Sequence, residues 1–223
     1  MESSSARILL ASASPRRRRL IGWLGLAVDV TSVDTPEELD SPLAAVPGQL
    51  AASIAAEKAL AAREAGERGR LVFGLDTIVV ADGEVLGKPA DLDDAYRMLR
   101  TLSGRTHHVV TGIALLEPGA EAPRTFAVTT RVQMRELTDA DIAEWAEKGE
   151  LMGCAGAYNI EHHLASVGLD ECYQNVAGMP LCHLHAALAS GGIVGVPEGL
   201  ASPVAACDAA LGRRCALGPT LVR

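Results

Sequence analysis

Residues able to handle an anion stand out at several points in this chain. The first is the run Arg16-Arg17-Arg18-Arg19, directly after Ser14-Pro15. Ser before Pro reads as an N-cap followed by the first helical position. The arginines therefore fall in the first turn of a helix expected to run to about Gly25. That is the wrong end for positive charge, since the helix dipole favours anions there by ~0.3–1 kcal/mol per group. A compensating anion is expected, and the free N–H groups of a helix start suit phosphate. At helical spacing the apolar stripe is Leu20, Ile21, Trp23 and Leu24. Arg16 and Arg17 flank it and can point inward, whereas Arg18 and Arg19 point away. A solvated basic patch is the alternative.

The second is Asp76, set between LVFGL and TIVV. Strand alternation puts Asp76, Ile78 and Val80 on one face and Thr77 and Val79 on the other. A carboxylate inside an apolar strand is costly unless a cation, a metal or hydrogen-bond donors meet it. Such a group can serve as a general base; it can equally be a structural Asp at a sheet edge.

Lysine is scarce. Of 20 cationic residues only Lys58, Lys88 and Lys148 are lysines, so each merits attention as a compact point charge where arginine would give a planar fork. On the wheel of the alanine-rich helix expected over 48–65, ending at Gly66, Leu50, Ile54 and Ala61 mark the inward stripe. Glu57 lies near its centre and Lys58 at its edge. Lys88 sits in GEVLGKP, which is not a phosphate-binding P-loop: the glycine spacing is one residue short, and Pro89 stands where Ser or Thr should hold a metal. Cys154, His162, His163, Cys172, Cys182, His183 and His185 form a looser group. No two matched C-x₂-C pairs occur, so packed thiols and ordinary histidines are favoured over a structural zinc.

These residues need elements to hold them. Arg7 to Ala11 and Ala27 to Val33 read as strands, and LVFGLDTIVVADGEVLGKP as a hairpin about Asp82-Gly83. Asp91 caps a helix to about Leu102. Strands follow at about His108–Leu116 and Arg124–Glu136, then a helix from Thr138 to Gly149. Met152 to Gly178 is irregular, and a short helix spans about Pro180–Ala189. Strands alternating with helices, with a hairpin interrupting the parallel order, give an α/β fold with a mixed sheet. Residues 1–189 are expected as a single domain and 190–223 as a loosely packed tail.

The bulk figures narrow the function. Net charge is −8, which disfavours a nucleic-acid binder. No apolar run is long enough to span a bilayer. The basic cluster follows the first apolar stretch, the reverse of a secretory signal. Five cysteines, an odd number in a chain of this size, point to reduced thiols and a cytoplasmic location. The residues alone describe an anion-handling α/β protein with one buried carboxylate, and leave the reaction open.

Taken in order, LLASASPRRRRL, AAEKALA, GLDTIVVADGEVLGKP, DAYRMLRTLSGRTHHVVTGIAL, GCAGAYNIE and NVAGMPL resemble the Maf, or septum-formation-inhibitor-like, family over Ile8 to Leu184. The resemblance implies an elongated mixed β-sheet flanked by helices, with two lobes around a central cleft, similar to inosine-triphosphate pyrophosphatases. It implies hydrolysis of a nucleoside triphosphate to a monophosphate and pyrophosphate with Mg²⁺ or Mn²⁺, and is compatible with a homodimer. By position, Asp76 matches the proton acceptor, and Ser12, Ser14, Arg16 and Arg17 the phosphate loop and helix start. Lys58 and Lys88 match the cleft lysines, and Glu37 an acidic residue near metal and phosphates. Asp76 and Glu37 are thus the expected metal ligands, with Asp76, Lys58, Lys88 and Arg17 as the catalytic group. Arg16 and Thr77 agree with members acting on dTTP and UTP. Glu161 stands where those members carry Gln, and is similar to the branch preferring 7-methyl-GTP. His162 and His163 replace a small, glycine-rich continuation. A non-catalytic nucleotide-binding regulator of septum formation is the alternative, and a zinc-stabilised binding module built on the Cys/His group is a third.

Overall fold

The computed structural model describes residues 8–65 and 69–222. The start of the first strand at Arg7 and the helix end at Gly66 fall outside these residues. Strand β1 (Ile8–Ala11) leads into α1 (Pro15–Ile21), which a short 3₁₀ turn extends to Leu24. Ser14 caps α1 as expected, its Oγ accepting from Arg17 N at 3.4 Å. Strand β2 (Val28–Thr31) pairs parallel to β1, and a long loop leads to α2 (Pro47–Ala65).

Strand β3 (Val72–Ala81) turns at Asp82-Gly83 into β4 (Glu84–Leu86). Asp91 caps α3 (Leu92–Leu102), accepting from Asp94 N at 2.8 Å. Strands β5 (Thr106–Leu116) and β6 (Arg124–Met134) follow, then α4 (Asp139–Glu147), capped by Thr138. After three 3₁₀ turns come β7 (Ala165–Val167), α5 (Tyr173–Val176), α6 (Leu181–Ala189), α7 (Val204–Leu211) and α8 (Gly218–Leu221).

One mixed sheet joins the strands in the order β2-β1-β3-β5-β6-β7, with β4 on the end of β3. The pairs β2-β1 and β1-β3 are parallel; the rest are antiparallel. Both faces of β3 are covered. Its Ile78 packs with Leu50, Ala51 and Ile54 of α2, while Phe73, Leu75 and Val79 join the main core with α1, α3 and α6.

Helix α2 lies very close to the sheet, and two glycines allow it. A Cβ on Gly74 would run into the Ala55 carbonyl, and one on Gly112 into the Ala51 backbone. The buried stripe of α2 is therefore Leu50, Ala51, Ile54, Ala55, Lys58, Ala59 and Ala62. This corrects the helix wheel: Glu57 is exposed, and Lys58 sits in the middle of the buried face. Alanines carry little hydropathic weight, so the wheel underrated the side that approaches the glycines most closely.

The segment after Ala189 also departs from expectation. It holds α7 and α8 and is fastened to the body of the protein. Ala201 N donates to Leu24 O (3.0 Å), Ala216 N to Leu169 O (3.2 Å) and Arg213 Nη2 to Val167 O (3.0 Å), and Cys207 is buried. Its order comes from backbone hydrogen bonds and small residues, which leave little hydrophobic periodicity to read. Among the described residues no helix is long and apolar enough to cross a membrane.

Candidate active site

A cleft of about 730 Å³ opens where β1, β3 and the 149–162 stretch meet, within the size range of small-molecule sites. Asp76 lies on β3, opposite Gly112 of β5, on the face toward α2. It is 3% exposed. Its Oδ1 accepts from Lys58 Nζ at 2.5 Å. Its Oδ2 is buried with no hydrogen-bond partner. A carboxylate so placed has spare acceptor capacity in a position where leaving it unused is costly.

Lys58 also donates to Glu37 Oε1 at 2.8 Å, and Lys88 donates to the same oxygen at 2.7 Å. Three separate stretches thus meet: the loop before α2, α2 itself and the turn after β4. Lys58 is buried by its place on α2, and Lys88 is half exposed at the cleft. Burial works to raise the Glu37 pKa, but hydrogen bonds from both lysines outweigh it and hold the carboxyl below its ordinary value. The group brings two lysines and two acidic side chains together, with Asp76 Oδ2 as the unspent acceptor.

Arg17 takes a different place from its neighbours. Its Nε donates to Gly178 O (2.9 Å), Nη1 to Leu75 O (2.9 Å) and Ser12 Oγ (3.4 Å), and Nη2 to Thr77 Oγ1 (2.8 Å). Four of the five N–H groups of a guanidinium are spent on protein oxygens. Its charge lies next to Asp76, but its fork ties α1 to β3 and to the 175–178 turn. Thr77 is equally committed, its Oγ1 being 3.0 Å from Thr111 Oγ1, which donates to Asn175 O at 3.1 Å. Gly178 has φ +90°, and a Cβ there would come within 3.2 Å of Arg17 Nε and 3.3 Å of Thr77 Oγ1. Ser12 is buried and accepts from Ser14 N at 3.2 Å, which shapes the loop into α1.

The facing wall comes from residues 149–162. Arg16 lies along it, its Nη2 3.5 Å from Cys154 Sγ and its Nη1 4.0 Å from Glu150 Oε2. Burial raises the Cys154 pKa against the pull of Arg16, so the group is a thiol. Glu150 accepts from Asn159 Nδ2 (2.8 Å) and lies 3.3 Å from His162 Nε2. Glu161 lines the cleft too, with its Oε1 held by Arg19 Nη2.

A family model described as Maf-like protein matches residues 7–191. The chain belongs to the Maf-like family. It is 42% identical over 183 residues to a dTTP/UTP pyrophosphatase of Geobacter metallireducens, spanning 81% of this chain and 93% of that protein. It is 44% identical over 183 residues to one of Syntrophotalea carbinolica, spanning 79% and 81%. Among solved structures it is similar to the Staphylococcus aureus Ham1 protein, with a TM-score of 0.40 and 16% identity, over 57% of this chain and 71% of that one.

Ser12, Ser14, Arg16, Arg17, Glu37, Lys58, Asp76, Thr77, Lys88 and Glu161, the residues matched to the site by resemblance, all line this cleft, and the Ser14 hydroxyl is spent on the α1 cap. The Maf-like cleft also contains groups the sequence did not mark. Arg19, expected to point away, reaches Glu161 from an otherwise exposed position. Behind the cleft, Asn175 is fully buried, and its Nδ2 donates to Val109 O, Val128 O and Thr130 Oγ1 at 3.0–3.1 Å. An asparagine within the otherwise apolar NVAGMP was the available signal. The cysteines are free thiols, and among the described residues no three His, Cys, Asp or Glu groups are placed to hold a metal.

Proposed function

We propose that this chain hydrolyses a nucleoside triphosphate to the monophosphate and pyrophosphate, acting on dTTP and UTP with the help of Mg²⁺ or Mn²⁺. The observation that carries the proposal is Asp76: a buried carboxylate with one oxygen fixed by Lys58 and the other unpartnered, in a cleft shared with Lys88 and Arg16. The names of the relatives, dTTP/UTP pyrophosphatases, supply the bond and the substrate class.

In this reading Asp76 Oδ2 accepts a hydrogen bond from the attacking water and then its proton. Lys58 holds the carboxylate in place. Lys58, Lys88 and Arg16 offset the negative charge that builds on the departing pyrophosphate. Glu37 keeps the two lysines close without spending their charge on solvent. Arg17 and Thr77 position: they fix β3 against α1 and the 175–178 turn, and so fix the backbone on both sides of Asp76.

Asp76 and Glu37 would hold the divalent cation, since the donor set fits one. Two carboxylate side chains with a spare buried oxygen suit a hard cation that keeps most of its coordination for water and phosphate. When bound, that ion supplies Lewis-acid stabilisation of the phosphate oxygens.

The test is direct. The purified protein, given dTTP, UTP, dCTP, dGTP and dATP with Mg²⁺ or Mn²⁺, should release pyrophosphate and a monophosphate, fastest from dTTP and UTP, and stop when EDTA is added. Release of orthophosphate alone overturns the bond assignment. Binding without turnover favours a regulator.

A further inference from the structure

Glu161 poses a chemical problem for a site that takes uracil or thymine. The pairing edge of those bases carries one N–H donor flanked by two carbonyl acceptors. A glutamine can meet two adjacent positions of that edge, accepting with its oxygen and donating with its amide. A carboxylate only accepts. It would meet the N–H but face a carbonyl oxygen with a second negative oxygen. A bare carboxylate suits instead an edge with two neighbouring donors, as guanine offers.

The structure places a cation on that carboxylate. Arg19 comes from the outer side of α1 and pairs with Glu161 Oε1 through Nη2, and both side chains line the cleft. Glu161 is held from behind as well, its N–H donating to Asn159 Oδ1 at 3.1 Å, while Asn159 is fixed on Glu150. This wall bears two carboxylates, Glu150 and Glu161, whose partners Arg16 and Arg19 both come from α1. The opposite side bears Lys58 and Lys88. A nucleotide with its phosphates on the lysines would have the 149–162 wall as the surface within the same cleft for its base to meet.

We propose that Arg19 and Glu161 read the base as one unit, with Arg19 as a specificity-determining residue. The pair offers Glu161 Oε2 as acceptor beside the remaining N–H groups of the guanidinium as donors. That restores the acceptor-donor face of a neutral amide and selects uracil- and thymine-type bases over guanine-type bases. The inference rests on the pyrophosphatase reading given above.

The experiment is a double-mutant cycle on the ratio of kcat/KM for dTTP to that for dGTP, measured by pyrophosphate release. Arg19→Ala exposes the bare carboxylate and should lower the ratio about 10- to 100-fold, through KM more than kcat. In a Glu161→Gln background one side chain supplies both donor and acceptor, so adding Arg19→Ala should move the ratio less than about threefold, within the spread of additive sites. Arg18→Ala, on the exposed side of α1, controls for loss of one positive charge and should leave the ratio unchanged. An unchanged ratio in Arg19→Ala, or an equal loss in both backgrounds, overturns the inference. Absence of pyrophosphate release from every nucleotide by the unmodified protein overturns the underlying reading, and this one with it.

Discussion

Asp76 and Thr77 are adjacent on β3 and face opposite sides of the sheet. On the Asp76 side, Lys58, Lys88 and Glu37 make a compact group of charges that leaves one buried oxygen without a partner. On the Thr77 side, Arg17, Thr111, Asn175 and the Gly178 carbonyl form a network in which nearly every donor is spent. A site needs both kinds of environment. Unused hydrogen-bonding capacity is what a substrate, water or ion can engage. A saturated network is what holds that capacity still. One strand separates them, so the chemistry on one face inherits its precision from the other.

The sharpest way to break this comparison is to change one residue on each face. Asp76→Asn keeps shape and removes the base. We expect kcat for pyrophosphate release to fall about a thousandfold, with a thermal midpoint close to that of the parent. Asn175→Ala does the reverse. It strands the carbonyls of Val109 and Val128 and the Thr130 hydroxyl, at a cost of about 3 kcal/mol of stability, read from urea denaturation. Activity per folded molecule at low temperature should fall far less than in Asp76→Asn. If Asn175→Ala cuts kcat as deeply at full folding, the division between chemistry and scaffold is wrong.

The two faces were unequally legible in the sequence. Asp76 interrupts an apolar strand, and Lys58 and Lys88 are rare residues, so composition and pattern single them out. Their register against each other was not visible. It depends on Gly74 and Gly112 letting α2 descend onto the sheet, a contact between segments that periodicity within one segment cannot report. That is also why the wheel chose Glu57 over the alanines. The Thr77 side was harder still. Threonine in a strand and arginine in a helix are unremarkable types, and their roles appear only once Gly178 and Asn175 arrive from a hundred residues further on. Outside 152–178, a stretch expected to be irregular that holds β7 and α5, the order of strands and helices up to Ala189 followed well from caps, turns and alternation. The segment beyond it did not, because its order comes from hydrogen bonds to the backbone carbonyls of residues 24, 167 and 169.

Acid provides the gentlest probe, since it reaches the two faces in different windows. His107 stands on β5, two residues from Val109 and four from Thr111, on the scaffold side. It is 1% exposed, its Nε2 lies 2.7 Å from Tyr158 Oη, and burial pushes its pKa down from 6.5 to about 4. Between those values the unfolded chain binds a proton that the folded one refuses, so stability falls as pH drops below about 6.5 and the loss levels off near 4. At 1.36 kcal/mol per unit the penalty is about 2 kcal/mol at pH 5. Glu37 behaves differently: its folded pKa is depressed below 4.5, so its contribution is intact above that value and is lost only as pH falls further. Denaturation from pH 7 to 5 should therefore show a decline to which His107 contributes, joined by His183 on α6, whose pKa burial also lowers, and to which Glu37 does not. His107→Gln keeps a partner for the Tyr158 hydroxyl and should make that decline shallower, whereas Glu37→Gln should leave its slope as it was. A slope unchanged in His107→Gln, or one that vanishes in Glu37→Gln, would assign the acid sensitivity to the charged face and dissolve the separation.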